Sequence, residues 1–367
     1  MSGSATTGFM AMKGAGYYSK ATLGAKHVMD NAASMVLEAV DSMGLSGADV
    51  FRATDMGAAD GGTSLGLWTR VLGRVREIAP DMPIEMIYTD LPKNDFSQLF
   101  QIVHGQSDME TYLGQIPRVH VMASATSFFE AIVPEETLDL GFSATASHYI
   151  AAVPGPISDH VHMVGASGAE RAAYEATGAA DWERMLLRRA AELKPGGRLC
   201  LFNFGIDEEG RYLGNTGGVN MFDTFAELWA GLAEDGIITP EEVLNTNFPQ
   251  CYRRQDQFTA PLDNPESAVS KAGLRLDHVE SRVVRCPFEA DFTDNHRDPV
   301  RFAAEYIPTL RSWSEPTFAN GLDLSRPAEE RTRIIDTFYG RYQDRVAANP
   351  EGHAMDYVHI YMVCSKR

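Results

Sequence analysis

Val50-Phe51-Arg52-Ala53-Thr54-Asp55-Met56 runs straight into Gly57-Ala58-Ala59-Asp60-Gly61-Gly62, an apolar stretch of strand length that breaks into a glycine-rich turn. The next residues, TSLGLWTRVLGRVREIA from Thr63, put Leu65, Trp68, Val71, Leu72, Val75 and Ile78 on one face at spacings of three and four. That spacing predicts a helix covering the strand. Further apolar runs follow at Ile84–Thr89, Val119–Ala123, Leu138–Ser143 and Arg198–Phe204, separated by helix-period stretches such as Ala169–Leu193. Lys194-Pro195-Gly196-Gly197 predicts a turn before the fifth run. Strands alternating with helices are the rhythm of βαβ units and a parallel sheet.

Beyond Gly205 the rhythm changes. MFDTFAELWAGLAEDG (Met221 onward) and PEEVLNT, with Pro240 suited to a first helical turn, read as helices. Two late β-runs, His278–Cys286 and Tyr357–Cys364, flank another helical block. The simplest packing is one α/β sheet domain, 1–205 with 276–290 and 351–367, under a helical cap of 206–275 and 291–350.

The chain has 367 residues, 44% of them apolar and 22% charged, which places it among ordinary globular proteins with a real core. Fifty acidic against thirty-two basic residues leave a net charge of −18, a field that repels nucleic acid and anionic membrane surfaces. Four cysteines without a CxxC pair argue for a reduced, cytoplasmic setting and against a structural zinc; no metal-ligand spacing occurs elsewhere. The N-terminus lacks an export signal, and no stretch reaches the ~18 apolar residues that span a bilayer. The opening residues to about Phe9 read as a mobile tail.

The glycine turn after the first strand lets a ligand approach the backbone closely, at the strand end where open α/β sheets bind ligands. Its spacing is not GxGxxG, which disfavours a dinucleotide pyrophosphate and a nicotinamide oxidoreductase. Asp90, closing the second run, is placed to accept hydrogen bonds from both hydroxyls of a ribose. Taken singly, the turn is equally well a plain glycine turn, and Asp90 a cap or turn former. Together, at consecutive strand ends, they point to an adenosine cofactor without a pyrophosphate, S-adenosylmethionine.

Several segments resemble the SABATH methyltransferases, which methylate carboxyl groups of small acids or ring nitrogens of xanthines. MKGAGYYSKAT (Met12–Thr22) is similar to the family's MxGGxGxxSYAxNS, and DMGAADGGTS (Asp55–Ser64) to its DLGCSSGPNT. TDLPKNDFSQLF (Thr89–Phe100) is close to NDLPxNDFNxLF, ASATSFFEAIVP (Ala123–Pro134) to GVPGSFYxRLFP, and SATASHYIAAVP (Ser143–Pro154) to SSYSLHWLSxVP. EDGIITPEEVLNTNFPQCY (Glu234–Tyr252) resembles the cap segment EGLIxEEKxDxFNxPxY. The resemblance implies a class I methyltransferase fold, Rossmann-like and doubly wound, with an α-helical cap, and S-adenosylmethionine as cofactor. It also implies that Tyr18 and Thr22 close over the cofactor, that Asp55 and Gly57 form its loop, and that Thr63 stands for the Asn that meets the methionine carboxylate. Asp90 would hold the ribose, Leu91 the adenine edge, and Ser127 with Phe128 the adenine ring, while Phe129 reads as packing. Asp60 reads as a helix cap.

On the acceptor side the sequence departs from the family. Its carboxylate-binding Gln and Trp are replaced by Ala25 and Tyr149, with His148 beside the latter as a candidate donor or base. Phe225 and Trp313 are candidates for an aromatic wall, most of the cap's rings being packing. The expected activity is methylation of a small organic acid by in-line displacement, with Tyr149 and His148 orienting the acid. Methyl transfer to sulfur or nitrogen, or cofactor binding without catalysis, are the alternatives. A homodimer is a family expectation.

Overall fold

A computed structural model describes residues 23–45 and 49–367; Tyr18 and Thr22 therefore lie outside the described residues. Helix α1 (Leu23–Asp41) leads to β1 (Phe51–Met56), a short turn and α2 (Leu65–Ile78). Then come β2 (Ile84–Asp90), α3 (Phe96–Val103), β3 (Val119–Ala125), β4 (Leu138–Ala144), the long α4 (Gly168–Glu192) and β5 (Leu193–Ile206). The second half holds α5 (Met221–Glu234), α6 (Pro240–Leu244), the two-residue β6 (Arg253–Arg254), α7 (Gln255–Asp263), α8 (Ala268–Lys271) and β7 (Leu274–Val284). It ends with α9 (Pro287–Asp291), α10 (Pro299–Gly321), α11 (Ala328–Ala348) and β8 (Tyr357–Lys366).

The sheet runs β3-β2-β1-β4-β5-β8-β7, with β6 beside β5. β1 to β5 are mutually parallel along the sheet, whereas β8 is antiparallel to both β5 and β7. Strand order reverses between β1 and β4, which opens the crevice at their carboxyl ends. Every residue of β4 is buried, as a strand covered on both faces requires, while the edge strand β3 is half exposed. Both late β-runs join this one sheet, as the packing argument expects; an apolar run does not say which way a strand points, so the antiparallel β8 goes beyond that reading.

Two local expectations are corrected. Lys194-Pro195-Gly196-Gly197 does not precede β5 but bulges from it: Leu193 pairs with Leu138 and Arg198 with Leu140, and Gly196 takes φ 85°. On α2, Leu65, Trp68, Val71, Leu72 and Val75 are buried as the spacing predicts, together with Leu67, but Ile78 in the last turn is exposed. There the helix runs past the sheet it covers.

Within 206–275, α7 and α8 lie with α4 against the sheet: Phe258, Leu262 and Val269 pack into one cluster with Trp182, Met185, Leu186, Leu199, Ile360 and Met362. The helices α5, α10 and α11 share a different core of aromatic rings. Phe225 meets Phe318 at 5.3 Å and Phe338 at 6.0 Å between centroids, and Trp229 meets Phe318 at 5.0 Å.

Candidate active site

The loop after β1 is built from backbone constraints. Gly57 takes φ 79°, and a Cβ there would come within 2.3 Å of the Ala146 methyl, so both conformation and space demand glycine. Gly57 and Ala58 donate their amides to the Thr89 carbonyl at 2.8 and 3.1 Å, which clamps the end of β1 to the end of β2. Ala59 is a non-glycine residue in the left-handed region, φ 50°, held there by its amide donating to Asp90 Oδ2 at 2.8 Å and its carbonyl accepting from Asn94 Nδ2 at 2.7 Å. Asp60 accepts from the Gly62 amide at 3.1 Å within the turn and does not cap α2, whose N-cap residue is Ser64.

Asp90 is the pivot. Its second oxygen accepts from the Leu91 amide at 2.7 Å, so two backbone donors orient the carboxylate while each oxygen keeps a further lone pair. Burial pushes its pKa up, and the two amides pull it back. Asp95, further along, caps α3 through the Gln98 amide at 3.0 Å, so Asp90, Asn94 and Asp95 of the DLPKNDF segment each have a structural reason. Asp55 faces inward: its Oδ2 accepts from Ser64 Oγ at 2.6 Å and Trp68 Nε1 at 2.9 Å, and burial raises its pKa to about 6. It fixes the entry of α2. Thr63 is buried in the same turn.

Asp90 pairs with Ala125 across β2 and β3, so Ser127 and Phe128 leave the sheet beside it. Leu91, Ser127 and Phe128 are each half-buried, whereas Phe129 is buried in the sheet core as expected. The loop they occupy is anchored by a pair that sequence reasoning missed. Arg189 of α4, fully buried, donates to the carbonyls of Phe128 (2.7 Å) and Glu130 (2.8 Å) and to both oxygens of Glu192. Glu192 in turn accepts from the Ile132 amide at 2.6 Å. A charged pair in an apolar helix face was the available signal. The glycine that would lose its fit with any Cβ, the twice-oriented Asp90 and the half-buried Phe128 fit an adenosine ligand: acceptor oxygens for ribose hydroxyls and a ring for the base.

The acceptor side begins one step along. Thr145, another left-handed non-glycine residue (φ 59°), donates its amide to Phe202 and places its hydroxyl 3.2 Å from His359 Nε2. From there the chain lines a cavity of about 360 Å³, open mouth included, with Thr145, His148 and Tyr149 on one wall. Phe204, Gln250, Tyr252, Trp313 and Tyr357 supply the others. No lysine, arginine or carboxylate lines it among the described residues. Tyr357 arrives because β8, antiparallel, begins at the edge where β5 ends.

His148 is buried against the rings of Tyr149 (4.3 Å), Phe204 (4.9 Å) and Tyr252 (5.8 Å). Burial, with the nearby His359 and His162, holds its pKa well below the usual imidazole value, so it is neutral near pH 7; its Nδ1 has no partner among the described residues. Burial likewise raises the Tyr149 pKa. Of the residues expected around the acceptor, the structure brings together His148, Tyr149 and Trp313. Phe225 does not line the cavity; it sits behind Trp313 at 6.1 Å in the helical core. Ala25 is buried in α1 and does not line the cavity either; its neighbour Gly24 presses on the Tyr357 ring. Gln250, Tyr252, Phe204 and Tyr357 were missed, although all four lie at strand ends or in the segment ending at Tyr252.

Among the described residues, Asp291, His296 and Glu305 bring ligand atoms within 4.8 Å of one another. Arg301 donates to both carboxylates, at 2.9 and 3.0 Å, and already offsets part of that charge. All four cysteines are buried free thiols. No described helix is long and apolar enough to cross a membrane.

The strand order, the switch point and the two-sided site define a class I methyltransferase fold. A solved structure described as loganic acid methyltransferase with SAH superposes with a TM-score of 0.77 over 97% of this chain and 98% of that one, at 18% identity. The family described as SAM dependent carboxyl methyltransferase matches residues 7–367, and the chain belongs to that family. Two curated relatives are indole-3-acetate O-methyltransferases 1. The one from Oryza sativa subsp. japonica is 28% identical over 54% of this chain, and the one from Arabidopsis thaliana 27% identical over 60%. The alignments span 56% and 62% of those relatives' lengths.

Proposed function

We propose that the protein methylates the carboxylate of a small organic acid, with S-adenosylmethionine as donor. The observation that carries this reading is the segment Thr145–Tyr149. Ala146 is in contact with the cofactor-loop glycine, Gly57, while Thr145, His148 and Tyr149 line the aromatic cavity. A single short peptide thus touches both halves of the site. Asp90 would hold the ribose hydroxyls, Gly57 the close approach of the methionine portion, and Leu91, Ser127 and Phe128 the adenine.

When bound, S-adenosylmethionine supplies a methyl group on a sulfonium, which the carboxylate oxygen displaces from sulfur with no proton changing hands. A carboxylic acid has a pKa of about 4, so at pH 7 it is already the nucleophile and no general base is needed. A neutral His148 suits that chemistry: it offers an imidazole for hydrogen bonding and adds no competing charge. The protein's contribution is alignment in a dry cavity, an effect worth up to roughly 7–11 kcal/mol. In this reading the segments 206–275 and 291–350 include the cap, and through Gln250, Tyr252 and Trp313 they close the acceptor side. The net charge of −18 and the free thiols favour a cytoplasmic enzyme acting on a small molecule, without nucleic-acid or membrane partners. A homodimer is carried over from the family resemblance and is read by sedimentation.

The same cavity favours one rival reading. With no cationic side chain among its described lining residues, it would also accept a neutral nitrogen or sulfur nucleophile. Incubation with methyl-labelled cofactor and a panel of small acids, thioethers and amines separates the two. A labelled product from an acid that mild base hydrolyses is an ester and supports the proposal. Label found only in base-stable product overturns it.

A further inference from the structure

We infer that His162 and Gln250 position the Tyr149 hydroxyl as a hydrogen-bond donor to the acceptor's carboxylate, with the Tyr252 hydroxyl as the second donor. The inference rests on the carboxyl reading above and assigns the groups that bind the acid in a cavity with no cation among its described lining residues.

The backbone sets the pair. Ile150 donates to the Pro249 carbonyl at 2.9 Å and Cys251 to the His148 carbonyl at 2.8 Å, making Tyr149 and Gln250 directly opposed in an antiparallel bridge. Because the flanking residues carry those bonds, Tyr149 and Gln250 are a non-hydrogen-bonded pair, the type whose side chains stand closest. The direction of the side-chain bonds follows from His162. Its Nδ1 accepts from the Val164 amide at 3.2 Å, so in the neutral ring the proton resides on Nε2. That proton needs an acceptor, and Gln250 Oε1 lies 3.2 Å away. The ring is fully buried and stacked on Phe222 at 4.0 Å, which fixes its plane.

With its carbonyl oxygen committed to His162, Gln250 has its NH₂ free for the hydroxyl of Tyr149, the side chain directly opposed to it across the bridge and on the same cavity. A hydroxyl that accepts from an amide keeps its own proton to donate. In this arrangement the Tyr149 O–H is directed at whatever occupies the cavity. The Tyr252 hydroxyl, on a side chain 1% exposed in the same cavity, has no partner among the described residues. A buried unpaired hydroxyl is costly, and a carboxylate oxygen would satisfy it. Two neutral hydroxyls thus line the cavity.

The test takes the acid best methylated by the wild type from a panel of small carboxylates that starts with indole-3-acetate. Each hydrogen bond to a charged group is worth roughly ten- to a hundredfold in affinity. Y149F should therefore raise the acid's KM by that factor, and Y252F by about tenfold, with S-adenosylhomocysteine affinity unchanged by calorimetry. Q250L should raise KM as Y149F does, yet add less than threefold in the Y149F background, because Gln250 acts through that hydroxyl. Q250E keeps the shape but takes the tyrosine proton for itself, and should also raise KM. A Y149F enzyme that keeps its KM within twofold, or Q250L and Y149F effects that multiply, overturns this inference alone. A wild type that binds S-adenosylhomocysteine but methylates no acid overturns the carboxyl reading and this inference with it.

Discussion

The two halves of the site are held by opposite means. On the cofactor side the polar atoms are already engaged by the protein: both Asp90 oxygens take backbone amides, Ala59 is pinned in a left-handed conformation, and Arg189 and Glu192 tie down the loop that carries Phe128. On the acceptor side the groups are neutral, packed as rings, and in part unpartnered among the described residues, as at His148 Nδ1 and the Tyr252 hydroxyl. Backbone-held geometry recognises one constant ligand and resists change. A cavity of side chains with unsatisfied donors recognises through whichever rings and hydroxyls the sequence supplies, so substitution there changes the acceptor without disturbing the donor loops.

Breaking the anchor should produce the largest effect. Arg189→Met removes one partner of a buried ion pair and leaves Glu192 unpaired, a loss of about 3–5 kcal/mol in unfolding free energy. Denaturant unfolding measures it, and a loss under 1 kcal/mol would show that the anchor contributes little. Double replacement with Glu192→Leu should recover much of the stability without recovering cofactor affinity, because the carbonyls of Phe128 and Glu130 still lack their donor. Next in size is Asp90→Ala, which on the proposed reading removes a charged acceptor for two hydroxyls, each such bond being worth about 1.5–3 kcal/mol. S-adenosylhomocysteine should bind at least a hundredfold more weakly by calorimetry. Unchanged affinity would separate Asp90 from the ribose and dissolve the division between the two halves.

That division was only half legible in the sequence. The glycine turn, the DLPKNDF segment and Asp90 announce themselves because backbone requirements act locally: a positive φ, a cap at Asp95 and an acid at a strand end each leave a mark within a few residues. Arg189 escapes that logic, since the carbonyls it binds lie some sixty residues earlier in the chain. The same holds for Gln250, whose meaning depends on a bridge to Tyr149, and for Tyr357, which reaches the cavity only because β8 runs antiparallel. Phe225 and Trp313 look equivalent as helix aromatics, yet one ring lies behind the other. Only packing decides which meets the ligand.

Acid should separate the halves by sign. His148 and His162, held neutral by burial, and His359, pushed down to about 3, refuse protons that the unfolded chain takes up below about pH 6.5. Their stabilisation is complete above that pH and is lost as pH falls, by about 2 kcal/mol for His359 at pH 5. Asp55 runs the other way. With its folded pKa near 6 it binds a proton before the unfolded chain does, and returns about 1.4 kcal/mol by pH 5. The net expectation is a thermal midpoint that drops between pH 7 and pH 5, with a shallower drop in His359→Gln. A midpoint flat across that interval would mean that these imidazoles titrate normally.

The smallest effect isolates the acceptor wall. Trp313 lines the cavity and packs on Phe222, Phe225 and Phe248 at centroid distances of 5.7 to 6.2 Å. An aromatic contact with a ligand contributes about 0.5–1.5 kcal/mol beyond simple burial, so Trp313→Ala should raise the acceptor's KM about tenfold. Because the lost ring also belongs to the helical core, some stability is lost with it, and KM alone does not identify the wall. The deciding measurement is the pair of affinities: S-adenosylhomocysteine should bind Trp313→Ala as it binds the wild type, since no backbone contact of the cofactor loops passes through α10. Equal weakening of donor and acceptor would mean that the helical layer holds the cofactor loops as well.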